Sequence, residues 1–428
     1  MSQPASSAAN RGGFSIPPIA IIGALFFIFG FATWINATLI PYFKITLGLN
    51  DAQSFLVASA FYLSYFVMAF PAAGILKKTG LKNGMMFGLF VMAAGALLFL
   101  PAASMRAYWL FLVGLFTIAT GLTILQTASN PYVVALGPIE SAAQRISIMG
   151  ICNKVAGAIA PLLLIRAITK NSDEIDQIKA LLPTLDSAGR DSLLAELSGR
   201  LSTPYLTMAL VLVGLGLLIR FSGLPEIEES EDSDLKKTGP SANSIFGIPH
   251  LVLGAIAIFF AVAVEVLAVD SSIRYAEHVG YAFADAKFFP TITLGLMIVA
   301  YLCGTIFIPK YIPQRRALLW ISVLGLLLSI VIVSISGHFS VWALASLGLA
   351  NALLWPAIWP LALDGLGRWT KSGSALLIMG IIGGAILPPV YGMISDRSNP
   401  QTAYLLLIPC YLYLIFYAVS GWKMGRDQ

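Results

Sequence analysis

Twelve stretches of this 428-residue chain are apolar over lengths that span a membrane. A helix crosses the roughly 30 Å hydrocarbon core of a bilayer in about 20 residues. The runs fall near 17–43, 52–76, 83–103, 108–136, 146–168, 203–224, 249–273, 287–308, 317–336, 340–366, 373–394 and 402–422. In hydrocarbon every backbone N–H and C=O has to be satisfied by the chain itself, and a long continuous apolar run does this only as a helix. Composition agrees: 58% of residues are hydrophobic and 11% charged, against roughly 25% charged in a soluble domain. Mean hydropathy is +0.83. The fold class expected is an all-α integral membrane protein.

An even number of crossings puts both chain ends on one face, and basic loops say which. Lys77, Lys78 and Lys82 follow the second run. Lys310, Arg315 and Arg316 follow the eighth, Arg368 and Lys371 the tenth, Lys423 and Arg426 the twelfth. The opposite short loops carry little beyond Lys44 and Arg106. By the positive-inside rule the ends are cytoplasmic. Residues 1–15, polar and without the layout of a signal peptide, read as a disordered cytoplasmic tail. Residues 16–224 read as a first six-helix bundle and 248–428 as a second. Between them, 225–247 is acidic, then Lys236-Lys237 and Gly-Pro-Ser, with few apolar residues, and is expected to be a flexible cytoplasmic linker. Within the first bundle, 169–202 spaces Leu181, Leu182, Leu185, Leu193, Leu194 and Leu197 through a charged segment; short amphipathic helices on the outer surface are expected.

Several function classes are excluded. The net charge of +5 comes from loop residues, with no basic stripe interleaved with aromatics, so no nucleic-acid partner is expected. Cys152, Cys303 and Cys410 lie in apolar runs without CxxC spacing, and the three histidines sit near span ends or in loops; no disulfide, metal centre or cofactor is expected. No nucleophile–base pair or phosphate loop suggests an enzyme. A membrane-embedded sensor or scaffold that binds a small molecule without moving it is a further reading, and it is counted against because no large soluble output domain is expected from this sequence.

Polar residues inside the runs mark where function resides. The fourth run holds Gln126, Thr127, Ser129, Asn130 and Pro131; Gln126 and Asn130, four apart, share one helical face. Such a stripe faces either a water-filled cavity or a neighbouring helix. Ionisable residues at bilayer depth are rarer still. Lys154 and Glu265 both lie near mid-membrane, and Asp270 and Arg274, further out, are four apart. Lys154 is expected to face Glu265 or Asp270 across the two bundles, in a pair that forms and breaks; a static pair or a lysine reaching to the cytoplasm is the alternative. Asp270–Arg274 reads as a local pair at the outer edge. Asp364, at the inner end of the tenth run, reads as a cytoplasmic gate or a helix-end pair, and Asp396 and Arg397 read as span-end residues.

The halves repeat each other. Gly157-Ala158-Ile159-Ala160-Pro161 matches Gly384-Ala385-Ile386-Leu387-Pro388, an offset of roughly 230 residues, and the basic loops after runs two and eight correspond. Trp34-Ile35-Asn36-Ala37-Thr38-Leu39-Ile40-Pro41, Leu125-Gln126 with Asn130-Pro131-Tyr132-Val133, and Gly383-Gly384-Ala385-Ile386-Leu387-Pro388 complete a pattern. It resembles the fucose permease and glucose/galactose permease branch of the major facilitator superfamily. The resemblance implies two pseudo-symmetric six-helix bundles and a cation-coupled monosaccharide symporter of the inner membrane, working by alternating access as a monomer. Ala37 stands where that family carries an aspartate, Gln126 where its fucose branch carries glutamate, and Lys154 follows Asn153 where it carries serine. Glu265 or Asp270 would then supply the coupling carboxylate, for a proton or for sodium. An uncoupled facilitator or exchanger with Lys154 as a tethered cation is the rival reading, or a transporter of another small polar solute. Sugar hydroxyls call for amides and C–H faces for aromatics: Asn36, Gln126, Asn130, Asn153, Asn351 and Trp355 are the candidates.

Overall fold

The computed structural model describes residues 17–135, 142–222, 224, 244–307 and 311–425. The expected tail and most of the expected linker lie outside them. Among the described residues the chain is helical throughout, with no strand. In the first half run α1 (Pro18–Trp34), α2 (Asn36–Thr46), α3 (Asp51–Ser54), α4 (Leu56–Leu97), α5 (Phe99–Met105), α6 (Tyr108–Ala135), α7 (Ala142–Ile168), α8 (Glu174–Leu181), α9 (Ser187–Gly199) and α10 (Ser202–Phe221). In the second run α11 (Pro249–Asp270), α12 (Ser272–Val279), α13 (Phe283–Ala286), α14 (Phe289–Phe307), α15 (Gln314–Ser334), α16 (His338–Asn351), α17 (Leu354–Leu363), α18 (Thr370–Met379), α19 (Gly383–Arg397), α20 (Pro400–Ala403) and α21 (Leu407–Val419).

Eleven helical runs among the described residues are long and apolar enough to cross a membrane. One of them, Asp51–Met105, is 55 residues. Its central helix α4 would be roughly 63 Å long if straight, twice the hydrocarbon thickness. Gly80, at φ 76° and ψ 170°, breaks it into two crossings, a conformation that glycine adopts without Cβ strain. Twelve crossings result among the described residues, so the first begins and the last ends on one face, here called the chain-end face. The opposite one is the far face.

Large apolar side chains point away from the protein in mid-helix, Leu210 at 66% exposed and Leu327 at 55% among them. In water such a belt would drive association; it is the surface that lipid covers. Because lipid is as apolar as the side chains, the interior is held by close packing and short polar bonds. Thr38 Oγ1 donates to the Pro161 carbonyl (3.3 Å) and Tyr42 Oη to that of Leu197 (2.6 Å), while Ser64 and Thr120 hydroxyls lie 3.0 Å apart. Bonds of this kind contribute on the order of 0.6 kcal/mol each.

The expected segment 169–202 forms α8 and α9 on the far face. Ile175, Ile178, Leu194 and Leu197 turn inward, and Arg200 ties α8 to α9 through Glu174 and Glu196, both at 2.9 Å. Three crossings are interrupted where the two halves meet. Ile35 separates α1 from α2, Ala352–Leu353 separates α16 from α17, and a 3-10 turn at Gly380–Ile382 separates α18 from α19. Pro356, in the first turn of α17, explains the second: its ring crowds the carbonyl four residues back.

Candidate functional site

A cavity of about 240 Å³ lies between the halves. From the first half α1 gives it Phe26, Phe29, Thr33 and Trp34, α4 gives Tyr62 and Tyr65, α6 gives Gln126 and Asn130, and α7 gives Gly150, Asn153 and Lys154. From the second come Glu265 with its apolar neighbours on α11, Tyr301 of α14, Trp355 of α17 and Ile381. Its walls are therefore aromatic faces with three amides and two charges set among them.

The two charges meet. Lys154 Nζ donates to Glu265 Oε1 at 2.5 Å, so one ion pair joins α7 of the first half to α11 of the second. The side chains are 9% and 16% exposed. The ammonium also lies over the Trp34 ring, 4.5 Å from its centroid, within cation–π range. Trp34 is held there from below: a Cβ on Gly157 would stand 2.2 Å from its Cδ1, so only glycine lets the indole approach α7 this closely. Gln126 Nε2 donates to Tyr65 Oη at 3.2 Å. Trp355 stacks on Trp359, one turn later, with centroids 5.0 Å apart.

Four of the six expected binding residues line this cavity: Gln126, Asn130, Asn153 and Trp355. Asn351 does not. It is 1% exposed, accepts from Tyr411 Oη at 2.6 Å and donates to the Val264 carbonyl at 3.3 Å, so it joins α16 to α21 and α11. Asn36 does not either; it is wholly buried, and among the described residues neither amide atom meets a hydrogen-bond partner. Lys154 pairs with Glu265, not with Asp270, which is 1% exposed. Nor does Asp270 pair with Arg274. Arg274 Nε donates to both carboxylate oxygens of Asp51, each at 3.0 Å, and Asp51 stands at the start of α3 in the other half.

That contact belongs to a cross-half clamp at the far face. Asp51 also accepts from Lys44 and from Ser395 Oγ, the latter at 2.7 Å. Asp396, expected to be a simple span-end residue, accepts from the amides of Asp51 and Ala52, both at 2.9 Å. Asp176 of α8 accepts from the amides of Phe283 (3.0 Å) and Ala284 (3.2 Å) at the start of α13, and Lys179 pairs with Glu277. Ser59 Oγ donates to the Ala385 carbonyl at 2.6 Å and Thr291 Oγ1 to that of Ala158 at 2.8 Å. A second hollow of about 420 Å³ lies among the clamp residues Lys44, Asp51, Lys179, Arg274 and Glu277. It is larger, but its charged walls are committed to each other. The clamp's acids and bases carry no local spacing signal; Asn50 with Gln53, a reciprocal N-terminal cap on α3, is the part that sequence alone displays.

A family model for the Major Facilitator Superfamily matches residues 22–388. The chain belongs to the major facilitator superfamily. It is 34% identical over 421 residues to a glucose/galactose transporter of Brucella abortus, covering 98% of this chain and 96% of the relative. It is 32% identical over 420 residues to the L-fucose-proton symporter of Escherichia coli, covering 96% and 94%. Among solved structures, FucP, a major facilitator transporter described in the outward conformation, matches with a TM-score of 0.72 at 30% identity, over 94% of this chain and 98% of that one. The protein is thus a transporter of this superfamily and not an enzyme.

Proposed function

We propose that the protein imports a monosaccharide across the inner membrane by alternating access, driven by a co-transported cation. The observation that carries this is the central cavity: amides from α6 and α7, aromatic faces from both halves, and one ion pair joining the halves. Gln126, Asn130 and Asn153 offer donors and acceptors to ring hydroxyls, and Trp34 and Trp355 offer faces to C–H surfaces. At about 240 Å³, the space lies below the roughly 300–1,000 Å³ of drug-sized sites, which suits a single sugar ring. Relatives named for glucose, galactose and fucose support that substrate class, and the symporter among them supports a proton as the driving ion. Basic loops put the chain ends in the cytoplasm. The clamped far face is then the outside, and this conformation is closed outward.

Lys154 and Glu265 sit where the halves pivot. As the halves rock, the pair parts, and sugar hydroxyls or water take over the two charges. The same pair favours one rival reading, an uncoupled exchanger in which the Lys154 ammonium substitutes for a driving ion. Reconstituted transporter separates the two. Labelled hexoses should exchange across the vesicle membrane and should accumulate under an imposed proton or sodium gradient. Exchange without accumulation under either gradient selects the uncoupled reading; no exchange of any monosaccharide by folded protein removes the sugar assignment.

A further inference from the structure

One acid in the membrane stands apart. Asp270, the last residue of α11, is 1% exposed, and neither of its oxygens meets a hydrogen-bond donor among the described residues. Its charged neighbours along the chain are engaged: Glu265, five residues before, by Lys154 at 2.5 Å, and Arg274, four residues after, by Asp51 at 3.0 Å. Groups on the surrounding elements are directed elsewhere. Lys44 of α2 pairs with Asp51. Tyr404 shares a hydrogen bond with Ser271, and Tyr411 of α21 is bonded to Asn351. Tyr301 of α14 lines the central cavity together with Glu265, and the Tyr391 ring of α19 packs against Phe55 and Tyr404. Tyr62 of α4, in the other half, lies within Asp270's electrostatic reach.

A bare carboxylate in this setting is a whole charge without a partner in a medium that solvates it poorly. A metal ion would remove the charge only with about six oxygen ligands. The nearby hydroxyls are committed to helix carbonyls, Ser271 to Leu267 and Ser272 to Val269 at 2.7 Å. A proton removes the charge and needs no further ligand. Position adds the second half of the case. Asp270 lies between Glu265, which lines the cavity, and Arg274, which closes the far face, on one run of chain from α11 into α12.

We propose that Asp270 carries the co-transported proton, which rests on the coupled sugar-import reading above. The far-face clamp closes over Asp270 only after its carboxylate has taken a proton from water on that side. The proton leaves to water on the chain-end side once the sugar has gone. One O–H bond forms as one breaks at each transfer, and one proton crosses per cycle. Glu265 keeps Lys154 as its counter-ion and is not the carrier.

The test uses purified full-length protein in sodium-free vesicles, with the wild type, Asp270→Asn, Asp270→Glu and Glu265→Gln. Sugar exchange at equal pH and accumulation under a pH gradient are measured side by side. One pH unit drives about tenfold accumulation at one proton per sugar. Asp270→Asn should still exchange sugar but lose accumulation entirely, and Asp270→Glu should recover it with a shifted pH profile. Wild-type accumulation by Asp270→Asn overturns the proposal, as does wild-type accumulation under a sodium gradient at equal pH in a parallel set of vesicles. If the asparagine variant does not fold, the glutamate variant decides: a pH profile identical to wild type also overturns it. Failure of wild-type exchange, by contrast, would remove the sugar-import reading itself.

Discussion

The Lys154–Glu265 pair is the residue-scale centre of the molecule. Taking one partner from a buried pair leaves an uncompensated charge and costs roughly 3–5 kcal/mol. Lys154→Met and Glu265→Gln should therefore each lower thermal stability and slow sugar exchange, while the double variant should lose less stability than the two losses added; thermal unfolding in detergent measures this. Additive losses would mean that the pair is not coupled. Trp355→Ala should raise the KM for uptake several-fold with little change in unfolding temperature. Asn351→Leu should do the reverse, because its partners are Tyr411 and Val264 and not the cavity; leaving donor or acceptor unsatisfied there costs about 1–3 kcal/mol. That contrast also shows what was legible in the sequence. Depth along a helix can be counted from the loops, so Lys154 and Glu265 stand out at mid-membrane. Direction around the helix axis cannot be counted the same way without a known face. Asp270 lies five residues beyond Glu265, about 140° around the helix, and so misses Lys154. The amides of Asn36 and Asn351 read like those of Asn153, because an amide in a span serves packing as readily as binding.

At the scale of elements, the far-face clamp joins α3, α12 and α19, and α8 to α13. Its parts are far apart in sequence: Asp51 and Asp396 are separated by 345 residues. Charges at span ends are common and no spacing rule links them, so tertiary structure alone reveals the clamp. The helices themselves follow from apolar length, and the break in α4 from Gly80. The interruptions in α16–α17 and α18–α19 are finer than a hydropathy profile resolves. Because the clamp bonds exist only when the far face is closed, Arg274→Gln or Asp51→Asn should shift the population toward the far-face-open form. A cysteine at Ala385, in a background lacking Cys152, Cys303 and Cys410, reports this. Maleimide applied from the far side should label it faster in the Arg274→Gln variant than in its Arg274 parent. Equal rates would mean that the clamp does not hold this face shut.

For the whole molecule, the question is whether two halves move as bodies about the central pair. With the far face outside, as proposed above, this conformation is closed outward, and the FucP structure that matches over 94% of this chain is described in the outward conformation. A repeat of six-helix bundles predicts that the two arrangements differ by rocking about a fixed midplane site. Locking one arrangement should then stop turnover while sparing the site. Ser59 of α4 and Ala385 of α19 meet through one hydrogen bond of 2.6 Å on the far side of the cavity. Cysteines at both positions, joined by a short reducible bifunctional thiol reagent, should fix the halves with that face closed. Uptake and exchange should fall to background and return when the link is reduced. Sugar added from the chain-end side should still quench the fluorescence of Trp34 and Trp355, because both line the cavity between the halves and the link closes the far face alone. Transport that continues through an intact cross-link would show that this face need not open, and alternating access by rocking halves would have to be abandoned for this protein.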